Sequence, residues 1–113
     1  MSSLPDLSVS VPRLRHDLEH VAGYGATASG GVSRTSFSAA DREVRAWLAE
    51  ECERAGLALR TDSIGNVFAR VDAPAAPAGT PPVWTGSHLD SVPEGGRFDG
   101  ALGSLAALEV ARR

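Results

Sequence analysis

Residues 85–100 read TGSHLDSVPEGGRFDG and gather one histidine, three carboxylates and four glycines into a single stretch. His88 offers an imidazole nitrogen to a cation. Asp90, two residues on, is spaced to accept a hydrogen bond from the ring nitrogen not used for coordination, which would fix the tautomer and raise ligand basicity. Asp99 follows after enough glycine to fold back beside His88, and one carboxylate can bridge two cations about 3.5–4 Å apart in a hydrolytic site. Simpler readings stand beside this one: a hydrogen-bonded loop histidine, and an Asp99-Gly100 turn that caps a helix. The carboxylates at 90, 94 and 99 do not follow the spacing of an EF-hand calcium loop.

These side chains need a frame. Val83-Trp84-Thr85 reads as a short buried strand leading into the loop, and in α/β sheets functional groups collect at such strand ends. After the loop, GALGSLAALEVARR is a helical pattern whose apolar residues nearly encircle the axis. Such a helix expects burial among several neighbours, and so little sequence remains here to provide them that the chain reads as truncated. Upstream, Val11, Leu14, Leu18 and Val21 repeat at helical spacing, with Ser10 as cap and Pro12 in the first turn. His16 and His20 lie four apart on that helix but off its apolar stripe, so they read as surface histidines.

The Gly23–Arg34 stretch matches neither a dinucleotide fingerprint nor a P-loop. It reads as a connection between helices, with Arg34 a possible anion contact. Ser38 to Asp41 resembles a capping box. It opens a second helix with Val44, Trp47, Leu48, Cys52 and Ala55 on one face and a Gly56 stop; Glu50, Glu51 and Glu53 read as its solvated side. Residues 57–61 and 66–71 form a predicted hairpin around a Gly-Asn turn. Residues 72–82 are a Pro/Ala linker. The order of elements is the beginning of an α/β domain.

Composition narrows the class. The chain has 113 residues, 42% of them hydrophobic and 22% charged, with a net charge of -3. Its 11 basic residues are scattered, which argues against nucleic acid or an anionic membrane as partner. No run is long enough to span a bilayer, and the N-terminus MSSLPDLSVSVPRLR lacks the pattern of a secretory signal. The lone Cys52 excludes an internal disulfide and suits a reducing compartment, so the expected location is cytoplasmic.

GSHLDSVPEGGRFDG followed by ALGSLAALE resembles the first metal-binding segment of the M20-type zinc amidohydrolases, in the branch of N-carbamoyl-L-amino-acid hydrolases, allantoate amidohydrolases and β-ureidopropionases. GGVSRTSFSAADREVRAWLAEECERAGLALRTDSIGNVFAR is similar to the same branch. The resemblance implies an α/β fold in which residues 1–113 form the N-terminal portion of a zinc-aminopeptidase-like catalytic domain. It makes His88 the ligand of one metal, Asp99 the metal-bridging carboxylate and Asp90 the acid that orients His88. It further implies two Zn2+ ions per complete site, with Mn2+, Co2+ or Ni2+ as substitutes, a small ureido or carbamoyl substrate, and a homodimer. The Glu-Glu pair with the general base, two further histidines and a lid domain would lie outside this chain. The fragment alone is therefore expected to be inactive; the alternatives are a non-catalytic interaction module or one half of a split enzyme.

Overall fold

The computed structural model describes residues 8–113; residues 1–7, which begin the N-terminal stretch discussed above, lie outside the described residues. Three helices and one hairpin follow in the order α1 (Val11–Ala22), α2 (Ala39–Arg54), β1 (Ala58–Thr61), β2 (Val67–Arg70) and α3 (Ala101–Ala111). This is a small α/β arrangement.

Each helix starts where side-chain chemistry allows it. Ser10 caps α1 by accepting a hydrogen bond from the Arg13 amide at 3.3 Å. Ser38 does the same for the Asp41 amide at 3.2 Å. The Asp41 carboxylate reaches back to Phe37 N at 2.9 Å rather than to the cap residue itself. That contact secures Phe37 in the left-handed region at φ 66°, a conformation costly for an aromatic residue. α2 ends as predicted: Gly56 adopts φ 74°, and the Leu57 amide returns to the Cys52 carbonyl at 2.9 Å.

Val21, Val44, Cys52, Leu57, Ala101, Leu105 and Leu108 make one buried cluster, flanked by Leu14, Leu18, Trp47, Leu48 and Leu89. Leu14, Leu18 and Val21 of the predicted α1 stripe and the stripe of α2 therefore meet α3, while Val11 is exposed, and each fully buried leucine contributes about 2 kcal/mol. Cys52 is buried, as read from its place on the helix, and burial raises its thiol pKa above the ordinary value. His16 and His20 are exposed. Their rings stack 6.4 Å apart, and His20 also packs edge-on against Tyr24.

Charged residues join the helices. The buried Glu109 on α3 accepts two hydrogen bonds from the Arg13 guanidinium, at 2.7 and 2.8 Å, and one from Ser10 N at 2.7 Å. Arg112 donates to Asp17 at 2.6 Å and to Glu51 at 2.9 Å. Glu51 is thus half-buried and paired, contrary to the expectation of a fully solvated acidic face. Sequence spacing hides this network because its members come from three distant helices.

Two other expectations need correction. Val83-Trp84-Thr85 is not a buried strand: the sheet among the described residues holds only β1 and β2, and Val83 is 98% exposed. A strand requires a neighbouring chain to satisfy its ladder, and none lies beside this segment among the described residues. Trp84 instead leans edge-on against Phe68 of β2, with ring centroids 5.7 Å apart. α3 is also not buried all round. Leu105 and Leu108 face the core, while Leu102 and Val110 are exposed.

Arg13 holds the Glu109 carboxyl down at about 2, chiefly through its hydrogen bonds. A depressed carboxylate stabilises the fold above its unfolded value of 4.5 and loses that effect as pH falls toward about 2. Glu109→Ala should lower unfolding free energy at neutral pH by about 2 kcal/mol. It should also flatten the decline of the urea midpoint between pH 5 and pH 2, relative to the unmodified chain, in denaturation series read by circular dichroism.

Candidate functional site

The segment from Thr85 to Gly100 forms an extended loop that ends at the start of α3. Its position is set by the glycine-rich segment before α2, which does more than connect helices. Val32 and Gly95 exchange main-chain hydrogen bonds at 2.9 and 2.8 Å. Glu94 N donates to the Ser33 hydroxyl at 2.9 Å. The Glu94 carboxylate accepts from Thr27 at 2.6 Å and Ser29 at 2.5 Å. These hydroxyl contacts, Ser29 first, lower the Glu94 pKa from its ordinary value, so this acid acts as a clasp between two loops.

Arg34 lies at the centre of the seam. Its side chain is buried. Nε donates to the Leu89 carbonyl at 2.7 Å, and Nη1 donates to the carbonyls of Val21 at 2.9 Å and Tyr24 at 2.6 Å. Those two carbonyls belong to the end of α1 and the turn after it, outside the regular helical ladder; Val21 O also accepts from Tyr24 N at 3.1 Å. Burial lowers the Arg34 pKa from its ordinary value, opposed by Asp41 and Asp90. Arg34 is therefore a strut between α1 and the loop and not an exposed anion contact. Its main chain pairs with Ser91: Ser91 N donates to Arg34 O at 2.7 Å, and Arg34 N donates to Ser91 Oγ at 2.9 Å.

His88 stands at the exposed edge of this frame. Its Nδ1 lies 2.9 Å from the Asp90 main-chain carbonyl and 3.4 Å from the Asp90 carboxylate. A carbonyl oxygen only accepts, so in the neutral ring Nδ1 carries the proton and Nε2 keeps a lone pair. The partner anticipated from the sequence was the carboxylate; the closer acceptor is the main chain of the same residue. The carboxylate also accepts from Ser36 Oγ at 3.0 Å, and Ser104 Oγ on α3 donates to the His88 carbonyl at 3.2 Å.

Asp99 is exposed just before α3, and its carbonyl accepts from Ala101 N at 2.8 Å. Gly100 adopts φ 70° and lies so close to His88 that an added Cβ would overlap the imidazole. Asp99 thus sits one residue from a direct contact with the ring. The loop brings His88, Asp90 and the Asp99 segment together. Among the described residues, no group of three or more His, Cys, Asp or Glu side chains is placed to hold a metal. No helix among them is long and apolar enough to cross a membrane.

No protein-family model matches the chain. Individual proteins do. An N-carbamoyl-L-amino-acid amidohydrolase from a Pseudomonas species is 38% identical over 104 residues, covering 92% of this chain and 25% of the relative. The allantoate amidohydrolase of Bacillus subtilis is 40% identical over 91 residues, covering 80% of this chain and 22% of that protein. The crystal structure of a hydantoinase/carbamoylase family amidase from Burkholderia ambifaria superposes with a TM-score of 0.88 at 47% identity, covering 94% of this chain and 26% of its own. These relatives are hydrolases of carbon–nitrogen bonds. Within that class the chain belongs to the hydantoinase/carbamoylase amidase family, which holds the N-carbamoyl-L-amino-acid and allantoate amidohydrolases. It spans about a quarter of the length of the relatives it matches.

Sequence spacing identified His88, Asp90 and Asp99 as candidates and read Asp99-Gly100 as a turn before a helix, but misassigned Arg34. What spacing could not show is that the Gly100 backbone packs directly against the His88 ring. Gly100→Ala should lower unfolding free energy by about 1–3 kcal/mol, as expected for a strained left-handed residue. Because the clash is with His88, nuclear magnetic resonance (NMR) signals of that ring should move while those of the β1–β2 hairpin stay in place.

Proposed function

We propose that this chain is the part of a metal-dependent amidohydrolase that carries its first metal ligands. The complete protein would hydrolyse a carbon–nitrogen bond of an N-carbamoyl-L-amino acid or a related ureido substrate such as allantoate. The observation that carries this reading is the His88–Asp90 contact, which leaves Nε2 as a free donor at the exposed edge of the loop, within a chain homologous to such amidohydrolases.

The donor set fits a divalent cation. An imidazole nitrogen and a carboxylate suit zinc, and mixed sites of this kind also accept manganese, cobalt or nickel. His88 would hold the ion through Nε2 and Asp99 through its carboxylate oxygens, the latter able to serve two ions. Asp90 keeps the ring in one orientation through its carbonyl, with its carboxylate close behind. When bound, the metal lowers the pKa of water toward neutrality and polarises the scissile carbonyl. Water adds to the ureido carbonyl, the carbon–nitrogen bond breaks, and a carbamoyl amino acid yields the amino acid, carbon dioxide and ammonia.

Two protein ligands fall short of the three usual at a catalytic zinc. The remaining ligands, the general base, a lid domain and the homodimer contacts belong to other parts of the complete protein, with residues 1–113 as the N-terminal portion of its catalytic domain. Lack of the base alone lowers rates by about 10²–10⁴, so this chain by itself is inactive. The lone buried cysteine supports a reducing, cytoplasmic setting, and the net charge of -3 supports the absence of nucleic-acid or anionic-membrane partners.

Zinc titration of the chain, followed by calorimetry and by the His88 ring signals, tests the reading. Weak binding that involves His88 and is lost in His88→Ala is expected, with further weakening in Asp99→Ala and no ammonia released from N-carbamoyl amino acids. Tight stoichiometric binding that persists in both variants would overturn it.

A further inference from the structure

We infer that Arg34 is a positioning residue for His88: its buried guanidinium fixes the loop geometry that selects the Nδ1–H tautomer and so presents Nε2 to a cation. The role rests on the reading of His88 as a metal ligand, but its structural basis does not. Arg34 is almost wholly inaccessible, yet its charge faces main-chain carbonyls and no hydrogen-bonded carboxylate. Burying a cation is unfavourable unless its donors are fully used. Here the donors join the end of α1 to the residue between His88 and Asp90, whose side chain also packs on the core that holds Val21.

The consequence for His88 is geometric. The imidazole contact is made to the carbonyl of Asp90, which shares its peptide plane with the Ser91 amide and follows the plane that carries the Leu89 carbonyl. Arg34 Nε holds the Leu89 carbonyl at 2.7 Å, immediately before Asp90. The Arg34 main chain holds Ser91 immediately after it, through the Ser91 amide at 2.7 Å and hydroxyl at 2.9 Å. Ser91 Oγ in turn donates to the Val32 carbonyl at 2.9 Å. Asp90 is thus clamped on both sides by one residue, and its carbonyl is left aimed at the ring. A lysine keeps the charge but presents a single compact ammonium on a flexible stem, which cannot reproduce the planar fork across three acceptors.

The test uses the metal-free chain and its own three histidines, with the exposed His16 as the internal reference. Long-range nitrogen–proton NMR correlations in alkaline buffer, where imidazoles are neutral, report the tautomer of each ring. The unmodified chain is expected to show His88 as the Nδ1–H form. In Arg34→Lys and Arg34→Met, amide signals of Val44 and Leu105 should remain folded while His88 loses that preference and its correlations move toward those of His16. Retention of the Nδ1–H form in either folded variant overturns the proposal, as does an Nε2–H form in the unmodified chain. Collapse of the core signals in both variants also overturns it, assigning Arg34 to general stability alone. A parallel zinc titration separates the two readings. If zinc leaves His88 unmoved while the tautomer still depends on Arg34, the positioning role stands and the metal assignment fails.

Discussion

A buried guanidinium shared among three backbone carbonyls is the constraint on which the site depends. The end of α1 leaves main-chain acceptors outside the regular helical ladder, and the His88 loop crosses beside them without regular secondary structure. Arg34 solves both problems with one side chain. The bonds are charge-assisted and largely shielded from water, where such contacts are stronger than at a surface. The hydroxyls of Ser33 and Ser91 and the Val32–Gly95 bridge then extend the same seam in both directions. A loop that sequence composition describes as glycine-rich and polar is thereby fixed almost as firmly as a strand pair.

The helical core performs a separate task. Leu105 and Leu108 anchor α3 against α1 and α2, and this sets where Gly100 and Asp99 begin the helix. Glu109 and Arg112 join α3 to Arg13, Asp17 and Glu51. Because hydrophobic burial is non-directional, such pairs help to specify which of several similar apolar packings is adopted. The loop seam places His88, the core places Asp99, and Gly100 is the point where the two meet.

The helices and the hairpin were legible because their periodicity, caps and turn residues act locally. Val11 to Val21, Ser38 to Gly56 and the Gly-Asn turn needed only near neighbours to be read. The site residues His88, Asp90 and Asp99 were legible as types at a spacing, with the family resemblance assigning their roles. What stayed hidden was non-local. Arg34 reads as a solvent-seeking charge until its carbonyl partners, 10 to 55 positions away, are known. The failure at Val83 to Thr85 has the same origin, since β-propensity describes fitness for a sheet and cannot supply the neighbouring strand.

That exposed stretch has a consequence for colloidal behaviour. Val83 and Trp84 stand in solvent on a backbone with open donors and acceptors, the kind of surface on which another chain can add a strand. Pro81 and Pro82 come immediately before it and have no amide hydrogens to give. Any intermolecular ladder seeded at Val83 therefore meets a break on its N-terminal side and can lengthen only toward the His88 loop.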